Sequence, residues 1–138
     1  GNPNWCERIE SGLVSYGGDT DETTNPFEVR MGKYVDLDVP DDTVGIAALR
    51  RIAAEGPKRH LLGVVIDGGA PLAPAFGWQT IARGGRRVGD LTNGVFSYRL
   101  KKNSGFALVS ADCGIGDRVD VHLKDAVHPG TLTDIPFV

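Results

Sequence analysis

Arg8 and Glu10 stand two residues apart near the start of a chain of 138 residues. A guanidinium carries a planar fork of donors that suits a carboxylate or another flat anion, whereas an ionised carboxylate only accepts. The pair has two readings: solvated charges on a surface helix, or a buried cation presented to an anionic ligand. Four carboxylates follow at Asp19, Asp21, Glu22 and Glu28. They suggest a cation site, but the run lacks the glycine and closing glutamate of an EF-hand loop, so a solvated acidic loop is the simpler reading. Glu28 follows Asn25 by three positions, the spacing at which a carboxylate reaches back to a helix cap. Trp5, Tyr16 and Trp78 offer flat faces either to a planar ligand or to a core. Lys101-Lys102-Asn103 reads as a hydrophilic hairpin tip.

Other chemistries find no support in the spacing. Cys6 and Cys113 form no C-x-x-C pair and read as two reduced thiols. His60, His122 and His128 have no metal-ligand spacing with them. There is no G-x-S-x-G elbow, P-loop or dinucleotide fingerprint, and Gly84-Gly85 precedes a β run rather than a helix.

The elements that would position these residues divide near residue 41. Before it lies an acidic, turn-rich stretch. Residues 3–11 read as the end of a helix, with Pro3 at a first helical position and Gly12 as its stop. Asn25, Pro26 and Glu28 read as the start of a second, short helix. Residues 34–37 alternate like a strand. A longer helix is expected over 42–55, capped by Asp42, with Val44, Ala48, Leu49, Ile52 and Ala53 on one face and Gly56-Pro57 ending it. Seven strands follow, over 61–66, 78–82, 86–91, 95–98, 106–109, 119–123 and 131–135, separated by Gly-Gly, Asn-Gly and Asn-Ser-Gly turns. One helix followed by short strands reads as a small antiparallel barrel or sandwich.

Composition bounds the function. The length suits one domain, or a domain with a piece of another. Glycine numbers 19 and the net charge is −3. Frequent glycine without a three-residue period implies tight turns in a β-rich fold. The acidic balance argues against a nucleic-acid partner, and Arg83, Arg86 and Arg87 are broken by glycines. No apolar run approaches the ~20 residues of a membrane span. Gly1-Asn2-Pro3-Asn4 carries neither the basic start nor the apolar core of a signal peptide, so a cytoplasmic location is expected. Composition and spacing alone stop at a β-rich domain of unknown ligand.

The segment from Glu7 to Asp19, read as Glu-Arg-Ile-Glu-Ser-Gly-Leu-Val-Ser-Tyr-Gly-Gly-Asp, goes further. It resembles the Arg-x-Glu-small-Gly…Tyr-Gly-x-Asp signature of the glycine-cleavage T-protein family, which comprises tetrahydrofolate-dependent aminomethyl- and methyltransferases. The likeness continues through Asn25-Pro26-Phe27-Glu28. Further blocks run from Val44 to Leu49, at Gly56, from Arg59 to Gly63, from Val88 to Ser97, from Phe106 to Leu108 and at Pro136-Phe137-Val138. The chain departs from the family pattern at Ile46, Ala47, Asn93, Tyr98, Val29, Arg30 and Met31. Asn25 and the Glu-Arg-Ile-Glu-Ser-Gly run look closest to the folate-dependent demethylases of the dimethylsulfoniopropionate and methoxy-arene types.

The resemblance implies a mainly β fold with minor α. Residues 42–138 would form the C-terminal antiparallel barrel and residues 1–41 the end of the folate-binding domain. It implies tetrahydrofolate as cofactor and a small methylated or aminomethyl donor. It also implies a missing N-terminal half holding the catalytic aspartate, supplied by the same polypeptide or a second subunit. On that view the chain is a fragment or one subunit of a split enzyme, holds no catalytic residue and is inactive alone. Arg8 would face the folate pocket, with Glu10, Tyr16 and Asp19 shaping its rim or bracing its loop. The rival reading is a non-catalytic barrel serving binding or assembly.

Overall fold

A computed structural model describes residues 4–138; the expected helical start at Pro3 lies outside the described residues. Six antiparallel strands close into a barrel: β1 (Arg59–Ile66), β2 (Ala75–Arg83), β3 (Arg86–Ser97), β4 (Lys102–Ser110), β5 (Arg118–His122) and β6 (Val127–Thr133). Their order around the barrel is β1-β4-β3-β2-β5-β6. Mainly β structure with minor α is therefore the fold class, as the sequence implies.

Period-2 alternation builds two cores from one sheet. Leu62, Val64 and Ile66 of β1 and Ala107 and Val109 of β4 point inward, where Ile81, Leu91, Val119, Val121 and Leu132 meet them. Leu61, Phe106 and Leu108 point outward and are covered by a second cluster with Ile9, Val29, Val95 and Ile135. Helix α1 (Trp5–Glu10) is the lid of that outer cluster, lying on β3 and β4. Six residues make a marginal helix, so α1 owes its stability to this docking and to Asn4, whose Oδ1 accepts from the Cys6 amide at 3.0 Å. Gly12 ends it at φ 75°, as expected.

Several local expectations are corrected. The runs over 86–91 and 95–98 are one strand, not two, so the barrel has six strands. Asn93-Gly94 makes no turn; Gly94 sits in the sheet between Ala75 and Gly105, next to a register shift between Leu91 and Asn93. The glycine serves close approach: a Cβ on Gly105 would meet Leu91 Cδ1 at 2.6 Å and Gly94 Cα at 3.1 Å. Residues 34–37 form no strand: Tyr34 closes a 3₁₀ turn (Gly32–Tyr34), and the chain after it has no strand beside it. The capping-box bonds around Asn25 form, but turns follow instead of a helix, and Arg30 takes the left-handed φ of 62°.

The long helix, α2 (Ile46–Glu55), begins four residues later than expected. Gly45, at φ 81°, precedes it, so Asp42 does not cap it. Gly56 ends it, at φ 83°. Of the expected apolar face, Val44 is 99% exposed and Ile46 alone in the helix is buried. Arg50 ties α2 to the preceding chain through Leu37 O at 3.1 Å, Val39 O at 2.6 Å and Asp41 Oδ1 at 2.6 Å.

Phe106 is fully buried where barrel and α1 meet. Phe106→Ala should cost about 3–5 kcal/mol, the sum of lost burial and the cavity left behind. Urea unfolding of the variant against the parent protein measures it.

Candidate functional site

The loop after α1 turns back on itself because Gly17 adopts φ 85° and the Asp19 amide donates to Ser15 O at 2.9 Å. This places Asp19, with no exposed surface, beside Arg8 on α1. Arg8 Nη1 donates to Asp19 Oδ2 at 2.7 Å and to Leu13 O at 2.7 Å. The Ser15 amide donates to the same carboxylate oxygen at 2.9 Å. The other oxygen accepts from Thr92 Oγ1 at 2.7 Å and from Asn93 Nδ2. Three segments thus converge on one carboxylate: α1, the loop and the irregular stretch of β3.

Arg8 also stacks. Its guanidinium carbon lies 4.4 Å from the Trp5 ring centre and 5.7 Å from that of Phe106. A cation between aromatic faces gains from their quadrupoles without using its N–H groups. Arg8 Nε and Nη2 are buried and make no hydrogen bond among the described residues, and Trp5 Nε1 is in the same condition. Trp5 meets Phe76 edge-on at 5.2 Å, and Trp78 donates its indole N–H to Gly18 O at 2.8 Å. The result is a donor-rich aromatic cluster that holds a positive charge.

The four expected site residues do not form one site. Arg8 and Asp19 meet. Glu10 lies about 200° around the helix from Arg8, at 100° per residue, where it accepts from Ser97 Oγ. Its backbone oxygen accepts from the Phe137 amide at 2.8 Å, and Ser97 Oγ accepts from the Leu100 amide at 2.9 Å. Glu10 thereby braces the end of β3 and the C-terminus. Tyr16 is 77% exposed and lines a shallow cleft of about 290 Å³ with Val14, Pro26 and Met31.

Of the remaining acidic residues, Glu28 and Asp21 are engaged by partners of their own. Glu28 caps Asn25 and takes a bidentate pair from Arg59, at 3.0 Å on each oxygen. That bond raises the Arg59 pKa. Thr23, through hydroxyl and amide, holds the Asp21 carboxyl below the usual range. Residues absent from the sequence-based reading of the site are Thr92 and Asn93, whose position suggested a turn, and Phe106. Cys6 donates to Phe96 O at 3.4 Å, and burial, then Glu10 and Glu7, push its thiol pKa up.

Removing Asp19 leaves a buried cation without its counter-charge. Asp19→Ala should cost about 3–5 kcal/mol, measured by denaturant unfolding. The raised Cys6 pKa means less thiolate at a given pH in the folded state. Native Cys6 should alkylate more slowly with iodoacetamide at pH 8 than in the unfolded chain, with the two rates converging as pH rises past the shifted value.

Comparison with known proteins adds the context of this geometry. The sequence model of the glycine cleavage T-protein C-terminal barrel domain matches residues 59–138. The chain is 34% identical over 131 residues to an aminomethyltransferase of Prochlorococcus marinus, covering 94% of this chain and 34% of that protein. It is 33% identical over 135 residues to the dimethylsulfoniopropionate demethylase DmdA of Ruegeria pomeroyi, covering 97% of this chain and 36% of that one. The fold is similar to the glycine cleavage system aminomethyltransferase T from Bartonella henselae, with a TM-score of 0.79 at 22% identity over 96% of this chain and 37% of that one. The chain spans about a third of the length of these relatives. With residues 59–138 matched and the same barrel fold closed by six strands, the chain belongs to the glycine cleavage T-protein family and carries its C-terminal barrel domain.

Proposed function

We propose that this chain is the C-terminal part of a tetrahydrofolate-dependent one-carbon transferase of the demethylase-like type. The donor would be a small methylated or aminomethyl compound. The observation that carries this reading is the Arg8 cluster: a buried guanidinium with two unspent nitrogens, stacked on Trp5 within the stretch that resembles the family signature. The relatives named as aminomethyltransferases and as a dimethylsulfoniopropionate demethylase support the donor chemistry.

The residues fit a pteridine coenzyme. Trp5 offers a flat face, Arg8 Nε and Nη2 offer donors for ring acceptors, and Asp19 fixes the guanidinium in place. Bound tetrahydrofolate supplies the nucleophilic nitrogen that takes up the one-carbon unit. Arg8 orients the coenzyme edge, Asp19 orients Arg8, and Glu10 and Tyr16 brace and border the surrounding surface. Holding acceptor and donor in register is the main contribution this half makes to rate. The rest of the pocket, including the acidic catalytic residue, belongs to an N-terminal folate-binding half. On this reading residues 1–41 end that half, residues 42–138 are the barrel that closes it, and the enzyme works in the cytoplasm without nucleic-acid or membrane partners.

Arg8→Lys in the full-length polypeptide keeps a charge beside Asp19 but loses the fork. Tetrahydrofolate affinity should fall about tenfold, or ~1.4 kcal/mol, by titration calorimetry, with thermal stability close to the parent. Unchanged affinity and turnover would refute the assignment and favour a non-catalytic assembly role for the barrel.

A further inference from the structure

The barrel is closed unevenly. β5 is five residues long and pairs with β2 only at Ile81↔Val121 and Ala82↔Asp120. Residues 75–80 of β2 therefore have a strand partner on the β3 side alone. Beyond the last pair the two strands part, and a cavity of about 220 Å³ opens between Ala75, Phe76 and Gln79 on one side and Leu123 and Lys124 on the other, with Leu72 as its roof. Leu72 is held there because its amide donates to Asn103 Oδ1 at 3.0 Å, while Asn103 Nδ2 donates to Ala70 O at 2.9 Å. A preformed apolar cavity at a barrel mouth is a site of the kind that takes small molecules.

Charge at this end is one-sided. Two carboxylates stand nearby and both are engaged: Asp67 by Arg118, at 2.6 Å and 3.0 Å, and Asp125, on the cavity rim, by His128 at 3.1 Å. Lys124, also on the rim, enters no ion pair among the described residues. Arg99, Lys101 and Lys102 stand on the β3–β4 turn at the same end, likewise without an ion pair among the described residues. Of the two charged residues that line the cavity, Asp125 is therefore engaged by His128, and Lys124 is left as the unpaired cation among the described residues.

We propose that this seam binds a small amphipathic carboxylate, its compact apolar body inserted between Leu72, Phe76 and Leu123 and its carboxylate on Lys124. The cavity lies below the roughly 300 Å³ at which drug-sized pockets begin, which limits the body to a single ring or a short alkyl chain. The site is separate from the Arg8 cluster but touches it. Phe76 forms the cavity wall and also meets Trp5 edge-on at 5.2 Å, so occupancy of the seam reaches the ring stacked on Arg8.

The test titrates the full-length protein with octanoate and with the neutral analogue 1-octanol, by calorimetry and by tryptophan fluorescence. Octanoate should bind at one site, more tightly than octanol, and perturb the Trp5 emission. Lys124→Glu should weaken octanoate about fivefold and leave octanol unchanged, the range expected for an exposed charge pair. Ala73→Trp, at an exposed position that lines the cavity, should abolish binding of both while leaving the thermal unfolding midpoint close to the parent. No octanoate binding at millimolar concentration, equal affinity for octanol, or binding indifferent to Ala73→Trp would each overturn the proposal.

Discussion

A guanidinium and a carboxylate taken out of water together lose more hydration than their mutual attraction returns, unless the remaining lone pairs and protons are satisfied. The Arg8–Asp19 pair meets this condition on the acidic side. Asp19 collects a backbone amide, a hydroxyl and a side-chain amide in addition to the arginine. The partners come from three stretches of chain. Satisfying one carboxylate therefore fixes where α1, its following loop and the irregular part of β3 lie relative to one another. The basic side is not satisfied in the same way: among the described residues two buried guanidinium nitrogens have aromatic faces beside them and no acceptor. That asymmetry is the feature on which the proposed coenzyme contact rests.

The barrel supplies the platform on which this pair rests. Its outward face would be costly to expose, since Leu61, Phe106 and Leu108 lie on it, and α1 with Val29 and Ile135 covers it. The C-terminus joins the same arrangement. Arg30 Nε donates to Leu61 O at 2.9 Å, and its Nη1 donates to Ile135 O at 3.0 Å. Residues before the barrel and residues after it are thus fastened to the strand face that carries Phe106. Helix α2 is different: its tethers run to the neighbouring chain through Arg50, and its apolar side chains beyond Ile46 are at best half-covered. The chain spans about a third of its relatives, and the described residues leave that helix face without a cover of their own.

Two features, one a buried polar cluster and one an open seam, follow from irregular pairing at two places in one sheet. The register shift in β3 turns Thr92 and Asn93 toward Asp19, and the brief β2–β5 pairing leaves the seam at the barrel mouth. Phe76 stands between them. It borders the seam with one face and Trp5 with its edge. The polar cluster and the apolar cavity are consequently neighbours, although nothing in the linear order of residues 8, 19, 72 and 124 suggests it.

Local rules were enough for a good part of the molecule. Asn25 and Glu28 made their reciprocal bonds, Gly12 and Gly56 ended their helices, and alternating Leu62, Val64 and Ile66 became an inward strand face. These depend on caps, backbone freedom and side-chain period, all of which act over a few residues. The same rules misread Asn93-Gly94 as a turn and residues 34–37 as a strand. A strand exists only when another strand accepts its hydrogen bonds, and a glycine pair makes a turn only where the chain is free to reverse. Gly94 faces Gly105 because two strands need to approach closely there, a demand that arises only once the barrel closes. The types of Arg8 and Asp19 were visible from the start. Their burial, the aromatic stack and the choice of Thr92 and Asn93 as partners belong to the tertiary structure, because a buried charge is tolerated only by groups that long-range folding brings to it.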